Sequence, residues 1–559
     1  MKNIFKITIL ASFVAFFVGC ETVELELLDD PNNLAISAAD PNFVLNDVQI
    51  NFSRIFSGYN GASDNIMRHV NLFSTYNGAV DQNTLDFTNG EWQQSYKLFT
   101  NLEILQGLNE LELGKEESGE GGSPIPNHVG VAQVLAAYSY MLLVDYLGDV
   151  PFTEANQPED FPNPNTSPGS EVYMAQLELL NEAISNLSAS GDNIVTPNLD
   201  LYYGSFDSSN WIKLANTLKI RAYLNLRLTQ PDMARSGINA AIGSAIIDDI
   251  SEDFQFQYSD IQQPTESRHP YFTGNYLAAG AGTYMSNGLY DMLNVGDAEP
   301  PFVETGTPDP RARYYIYRQT TQAPNTNPSN LPCAGDGRYE YCYVGNLYWG
   351  RDHADDAGIP NDTALRTTFG VYPAGGAFDA DQLSRGATTT NMGGAGIQPI
   401  YLSSFTHFAL AEAALTLGTS GNAANLLEEG IRLSMDKVTN FPTIPTTNPT
   451  TGEDFAATAA DINDYVSRVM TEYNAASTEG KLAIISREYY LAAFGCSPEA
   501  YNTYRRTGYP NLQDPIIPAG PFPRNFRYPG GEVATNPNIG QQALTKTVFW
   551  DNNPSGFID

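Results

Sequence analysis

The residue types that could do chemistry are densest just before position 354. Tyr339, Tyr341, Tyr343, Tyr348 and Trp349 are followed there by Arg351, Asp352 and His353. Aromatic faces beside guanidinium, amide and carboxylate groups suit the binding of a neutral polymer, with rings stacking on sugar faces or peptide side chains and polar groups bonding hydroxyls or backbone. Alternation puts Tyr339, Tyr341 and Tyr343 on one face of a strand, a pattern that fits an exposed or a buried face equally. A second group gathers Tyr59, Asn60, Asp64, Asn65 and Tyr76 among small residues, and a third holds Tyr271, Tyr284 and Asn287. The residues expected to touch ligand are Tyr343, Tyr348, Trp349, Arg351, Asp352, Tyr76, Tyr59 and Asn287. Asp352, Asp355, Asp356 and Asp362 hold enough oxygen for a Ca2+ ion, but their spacing is not that of an EF-hand loop, and a solvated acidic turn is the preferred reading.

A catalytic site is harder to assemble. His69, His128, His269, His353 and His407 are scattered, and none falls in HExxH or another ligand spacing. No G-x-S-x-G elbow, Walker loop or dinucleotide fingerprint is present. Glycosidase carboxylates are recognised only by a separation of about 5 to 9.5 Å in space. With 64 acidic residues such a pair arises by chance, so the expectation is a binding protein and not an enzyme.

The start of the chain places one more reactive group. Lys2 and Lys6 precede an apolar run over 7–18 and then Gly19 and Cys20, the pattern of an export signal occupying 1–19. The string FVGC (17–20) resembles a bacterial lipobox, with Phe17 where Leu is usual. Cys20 would then be acylated and become the first mature residue; ordinary cleavage beside an incidental cysteine is the alternative. Each buried acyl CH2 contributes about 0.8 kcal/mol, so three chains would hold the protein at a membrane surface. Residues 20–40 form an acidic leader containing Glu21, Glu24, Glu26, Asp29 and Asp30.

Loss of Lys2 and Lys6 with the export signal 1–19 takes the formal charge from −35 to −37. Such a surface repels nucleic acid, and no nucleic-acid partner is expected. No later run approaches eighteen apolar residues, so no transmembrane helix is indicated. Cys333 and Cys342 stand nine positions apart in a Gly/Pro-rich stretch and form a possible disulfide; Cys496, in an apolar helical pattern, is expected to be a buried free thiol.

The elements that must position these groups read as helices. Apolar residues recur at helical spacing over 43–56, 92–113 and 129–147, with a Gly/Glu-rich break at 114–126. A further pair is expected at 171–187 with 210–228, then 403–417 with 423–435, and 457–473 with 481–504. Antiparallel helix pairs build tetratricopeptide-like scaffolds, in which no pair buries its apolar face alone. The expected fold is thus mainly α, with the scaffold over about 41–246 and 400–559. The Gly-, Pro- and Tyr-rich stretch 247–399 is too long for a structureless loop and should form an irregular, loop-rich ligand lobe with short elements of its own. Trp92 and Trp211 read as core anchors, and Arg221, Arg505 and Arg506 as partners of carboxylates.

Several strings then support a family resemblance. VLAAYSYMLLVDYLGDVPFTEA (134–155) resembles the signature of the SusD/RagB family of nutrient-binding outer membrane lipoproteins. WIKLANTLKIRAYLNLRL (211–228) looks like that family's second helix pair. FGCSPEAYNTYRRTGYPNL (494–512), FPRNFRYPGGE (522–532) and VFWD (548–551) are similar to its closing region. WGRDHADDAGIPND (349–362) and FGVYPAGGAFD (369–379) resemble one branch of it.

The resemblance implies a SusD-like body over 41–559, carried by its lipid anchor on the outer face of the outer membrane. It also implies a hinged lid over a SusC-like, TonB-dependent barrel, capturing an oligosaccharide or, alternatively, an oligopeptide. A structural or adhesive lipoprotein using its helix pairs only as a protein-binding scaffold is the reading from a different class.

Overall fold

Helix α1 (Pro41–Ile66) starts at Asp40, whose carboxylate accepts the Asn42 N–H at 2.9 Å, with Pro41 in the first turn where a missing N–H costs nothing. The computed structural model describes residues 39–73, 75–76, 88–189, 195–277, 281–295, 307–320, 347–355, 364–383, 391–442 and 444–558. Against α1 lies α2 (Asn89–Ser118), which ends on the left-handed Gly119. It runs four residues beyond Gly114, where the break was expected, because one glycine inside a helix weakens it without ending it.

The next pair is α3 (Pro126–Leu147) and α4 (Gly169–Leu187). Gly130 lets them approach: a Cβ there would lie 2.7 Å from Leu187 Cγ. By length and composition α3 would span a bilayer, yet it is wholly buried inside the protein and serves as the core helix. Gly148 closes it with φ 76, as expected of a C-terminal glycine.

The third pair is α5 (Ser208–Asn225) and α6 (Pro231–Ile242). The pairing therefore differs from expectation by one helix. The segment PDMARSGINAAI buries only the short stripe Ala234, Ile238 and Ala241 among small and polar residues, so α6 was missed and α4 was assigned to α5 instead of α3.

The stretch after α6 holds short elements, as its length required. Strand β1 (Phe254–Gln257) is followed by α7 (Asn287–Met292), β2 (Ile316–Tyr317), β3 (Thr368–Phe369) and β4 (Ile397–Tyr401). β1 pairs antiparallel with β4 with an irregularity after Phe254, and β2 pairs antiparallel with β3. The chain then returns to the array with α8 (Ser403–Leu417) packed on α9 (Ala423–Thr439), followed by α10 (Ala459–Ala475), α11 (Thr478–Ala492) and α12 (Ser497–Thr507). Thr458 and Asp461 close a reciprocal capping box on α10. Helices α11 and α12 were expected as one. Gly495 sits at φ 87 and Pro498 follows, a combination that an α-helix does not continue through.

A single carboxylate ties the scaffold together. Asp145, fully buried near the end of α3, accepts from Arg221 Nη2 (2.8 Å), Asn502 Nδ2 (2.8 Å), the Trp550 indole N–H (3.0 Å) and the Tyr173 hydroxyl. Arg221 also donates to Glu499 at 2.6 Å, and Arg506 donates to Glu412 at 2.6 Å. Arg505 departs from expectation: it donates to Asn502 and to the Arg524 carbonyl and lies over the rings of Tyr501 and Trp550. Trp92 and Trp211 are buried anchors, the latter donating to Asp200 at 2.8 Å. Cys496 is a buried free thiol.

Candidate functional site

The three sequence clusters converge. An antiparallel bridge pairs Val70 with Met285, and a parallel bridge pairs Ser286 with Arg351, so the segments after α1, before α7 and around 349–355 lie side by side. Backbone bonds lock them: Asn71 N donates to Tyr284 O (2.9 Å), Asn287 N to Arg351 O (2.9 Å) and Ala354 N to Leu72 O (2.8 Å).

The side chains so gathered are turned inward. Tyr76 accepts from Arg68 Nη2 at 2.7 Å and meets His353 Nε2 at 3.1 Å. Asp352 bonds the side chain of Gln513, and burial pushes its carboxyl up to about 7. Burial likewise holds the His353 imidazole well below its ordinary value. Arg351 donates to Asp355 at 2.9 Å and lies over the rings of Phe73 and Tyr284. Trp349 donates its backbone N–H to Thr367 Oγ1 at 2.9 Å, and its ring is buried.

The exposure expected of these residues is therefore corrected. Tyr76, Asn287, Trp349, Arg351 and Asp352 form a buried polar seam, because the turn-rich segments that carry them pack on each other instead of projecting. Tyr59 is not part of it: its ring stacks on Tyr146 at 4.1 Å between α1 and α3. The solvated acidic turn is corrected in the same way for Asp352 and Asp355, both buried and engaged. Among the described residues no group of three His, Cys, Asp or Glu could hold a metal ion. Tyr343, Asp356, Asp362, Cys20, Cys333 and Cys342 lie outside the described residues.

Among the described residues expected to touch ligand, Tyr348 lines a cleft. About 220 Å³ in volume, it opens between the segment entering β2 and the lead into α10, with Val295, Asp309, Arg313, Arg318, Phe455 and Asp461 among its walls. The Arg313 guanidinium lies 4.1 Å over the Phe455 ring and that of Arg318 4.8 Å over the Tyr348 ring. Arg313 donates to Asp381 at 3.0 Å, and Arg318 to Asp379 at 2.6 Å and also to Asp381. The space is below the roughly 300–1,000 Å³ of sites for drug-sized ligands, so it suits one terminal ring or side chain of a longer polymer.

Sequence reasoning missed these arginines. The signal was the run RARYYIYR (311–318), a concentration of cations in a chain with 29 Lys and Arg against 64 acids. Its first member, Arg311, turns inward to Asp309 and Glu488 and is structural.

A helix-pair array bearing an irregular lobe with an arginine-and-aromatic cleft defines a binding protein of the tetratricopeptide-like class. Residues 31–327 match the family profile described as "Starch-binding associating with outer membrane", and residues 379–545 match that of the "Susd and RagB outer membrane lipoprotein". The chain belongs to the SusD/RagB family. The family brings with it the coarse role, nutrient binding at the outer membrane, and a class of proteins that bind carbohydrate and are in general not enzymes.

Solved structures bear out the fold. A SusD homologue from Parabacteroides distasonis is similar with a TM-score of 0.65 at 17% identity, covering 92% of this chain and 98% of that one. A SusD/RagB family protein from Bacteroides thetaiotaomicron gives 0.63 at 18%, covering 92% and 100%. A chitin-binding SusD homologue from Flavobacterium johnsoniae gives 0.59 at 17%, covering 92% and 99%. No curated protein matches the chain.

Proposed function

We propose that this protein is a lipid-anchored lid on the outer face of the outer membrane, which captures oligosaccharides and delivers them to a SusC-like, TonB-dependent transporter. Cys20 carries the anchor. The observation that carries the ligand reading is the cleft beside Tyr348: the half-buried Phe455 and Arg313, backed by the buried Tyr348–Arg318 pair and flanking carboxylates, can hold a sugar ring and bond its hydroxyls. Support also comes from the starch-binding description of the matching profile and from a structural relative named as chitin-binding. Tyr348 and Tyr343 are the ligand contacts kept from the sequence, joined by Phe455, Arg313 and Arg318, while the buried seam through Tyr76, Asn287, Arg351 and Asp352 holds the lobe to the scaffold. Delivery is a population shift, so bound ligand must favour the closed arrangement over the open one.

Calorimetry of the soluble chain starting after Cys20, against malto- and chito-oligosaccharides and against oligopeptides, tests the reading. Saturable heat with one oligosaccharide class, weakened at least tenfold in Phe455→Ala, is the expected result. Heat with peptides only would replace sugar by peptide as the ligand, and oligosaccharide binding unchanged in both Phe455→Ala and Arg313→Ala would remove the cleft from the site.

A further inference from the structure

A second depression, of about 300 Å³, is set into the helix array between α2, α3 and α4, and it shares no lining residue with the lobe cleft. Its floor is a parallel stack of Phe99 on Tyr140, with ring centroids 3.6 Å apart, and Phe152 stands edge-on to Tyr140 at 5.1 Å. Around this apolar floor the polar groups are Glu103 and Gln106 from α2, Gln176 and Glu182 from α4, and Asn156 and Gln157 from the turn after Pro151.

The buried unmet group among them is an acceptor. Gln176 is 1% exposed; its Nε2 donates to the Val172 carbonyl at 3.3 Å, while its buried Oε1 has no hydrogen-bond partner among the described residues. A buried acceptor left without a partner is destabilising unless something donates to it. Glu103 accepts only a 3.3 Å bond from Asn156 Nδ2, and partial burial raises its carboxyl above the ordinary range. Glu182 accepts from Gln133 Nε2 at 3.3 Å. No described residue in the lining is Lys or Arg. The depression thus offers a buried orphaned acceptor, two carboxylates and an aromatic floor, and no described residue of its lining carries a positive charge.

We propose that it binds a guanidinium group carried on a short apolar stem. The stem lies over the Phe99–Tyr140 floor, the planar head donates to Gln176 Oε1, and Glu103 and Glu182 balance its charge. A guanidinium fits better than an ammonium because it is flat, weakly hydrated and presents several donors in one plane, which an aromatic floor beside an amide oxygen can use together. This site stands independently of the sugar reading of the lobe.

The test is calorimetry of the soluble chain with agmatine, with Gly-Arg-Gly and with pentanol as the uncharged stem. Agmatine is expected to bind at least tenfold more tightly than pentanol, and to lose at least fivefold in affinity in Glu103→Gln, an exposed position where folding is not at stake. Gln176→Leu, which removes the orphaned acceptor, is expected to weaken agmatine similarly. Binding of Gly-Arg-Gly as well extends the same recognition to arginine within a chain. Absence of agmatine binding, equal affinity for pentanol, or indifference to Glu103→Gln would each overturn the proposal, as would binding of the peptide alone.

Discussion

The indole N–H of Trp550 donates to Oδ1 of Asp145 at 3.0 Å across 405 positions of chain. Asp145 lies in the string that first suggested the family, Trp550 in the last string, and Arg221 and Asn502, which bond the other oxygen, in two of the strings between. These four strings are thus the parts of one buried contact and mark the scaffold.

Replacing Asp145 with Ala leaves the Arg221 guanidinium with half its charge partners and strips a hydrogen bond from Tyr173, Trp550 and Asn502. Breaking one side of a buried ion pair costs about 3–5 kcal/mol. Urea denaturation of the soluble chain is expected to show a loss of that order in Asp145→Ala. A loss below about 1 kcal/mol would mean that the contact is not the tie described.

How much of this was legible in the sequence follows from what each signal measures. Helical periodicity located α1, α4 and α9, which have an apolar stripe, and continuous apolar composition located α3 and α8, with a stop or start residue such as Pro126 or Gly148 marking some ends. It missed α6, whose face is built from Ala234, Ile238 and Ala241 only, and fused α11 with α12 because periodicity does not register the left-handed Gly495. The three polar clusters did meet in space, but a tyrosine or aspartate has the same letter whether it faces solvent or a neighbouring loop. Tyr348 and Trp349 are adjacent in the chain, yet only the first reaches the cleft. The arginines of 311–318 were visible and went unused, since nothing in the run separates Arg311, which is buried in an ion-pair network, from Arg313 and Arg318.

Thiol counting separates the cysteines. In the soluble chain after Cys20, burial pushes the Cys496 thiol up, and its sulfur donates to the Ile400 carbonyl at 3.3 Å, so the native protein should not react with Ellman's reagent through this residue. We propose that Cys333 and Cys342 are joined. Denaturation without reductant should then expose one thiol, and denaturation with reductant followed by its removal should expose three. Three thiols in the unreduced, denatured chain would exclude the disulfide.

Anchoring is tested at Cys20. Expressed with its full leader, the wild-type chain is expected to sediment with outer membranes and to resist high salt, since acyl burial and not charge holds it. Cys20→Ala should appear in the soluble fraction. If the variant stays membrane-bound, the barrel contact or another feature anchors the protein, and the lipobox reading fails.

Glu91 gives the protein a pH dependence whose sign is fixed by its surroundings. It stands in the first turn of α2 against Gly58 of α1, with one carboxylate oxygen buried and unpartnered among the described residues, and burial raises its carboxyl to about 7. In the unfolded chain the same group titrates near 4.5. The folded protein therefore holds a proton over this window that the unfolded chain has released, so stability contributed by neutral Glu91 is complete below about pH 4.5 and is lost as pH rises through about 7. Asp352, also raised to about 7, acts in the same direction. Glu91→Gln keeps the shape of the neutral acid and cannot ionise. It is expected to be more stable than wild type at about pH 8, by roughly 2–3 kcal/mol, and nearly equal to it at about pH 4.5. Urea midpoints measured across that range check this: a difference between wild type and Glu91→Gln that does not grow with pH would show that the carboxylate between α1 and α2 is already solvated.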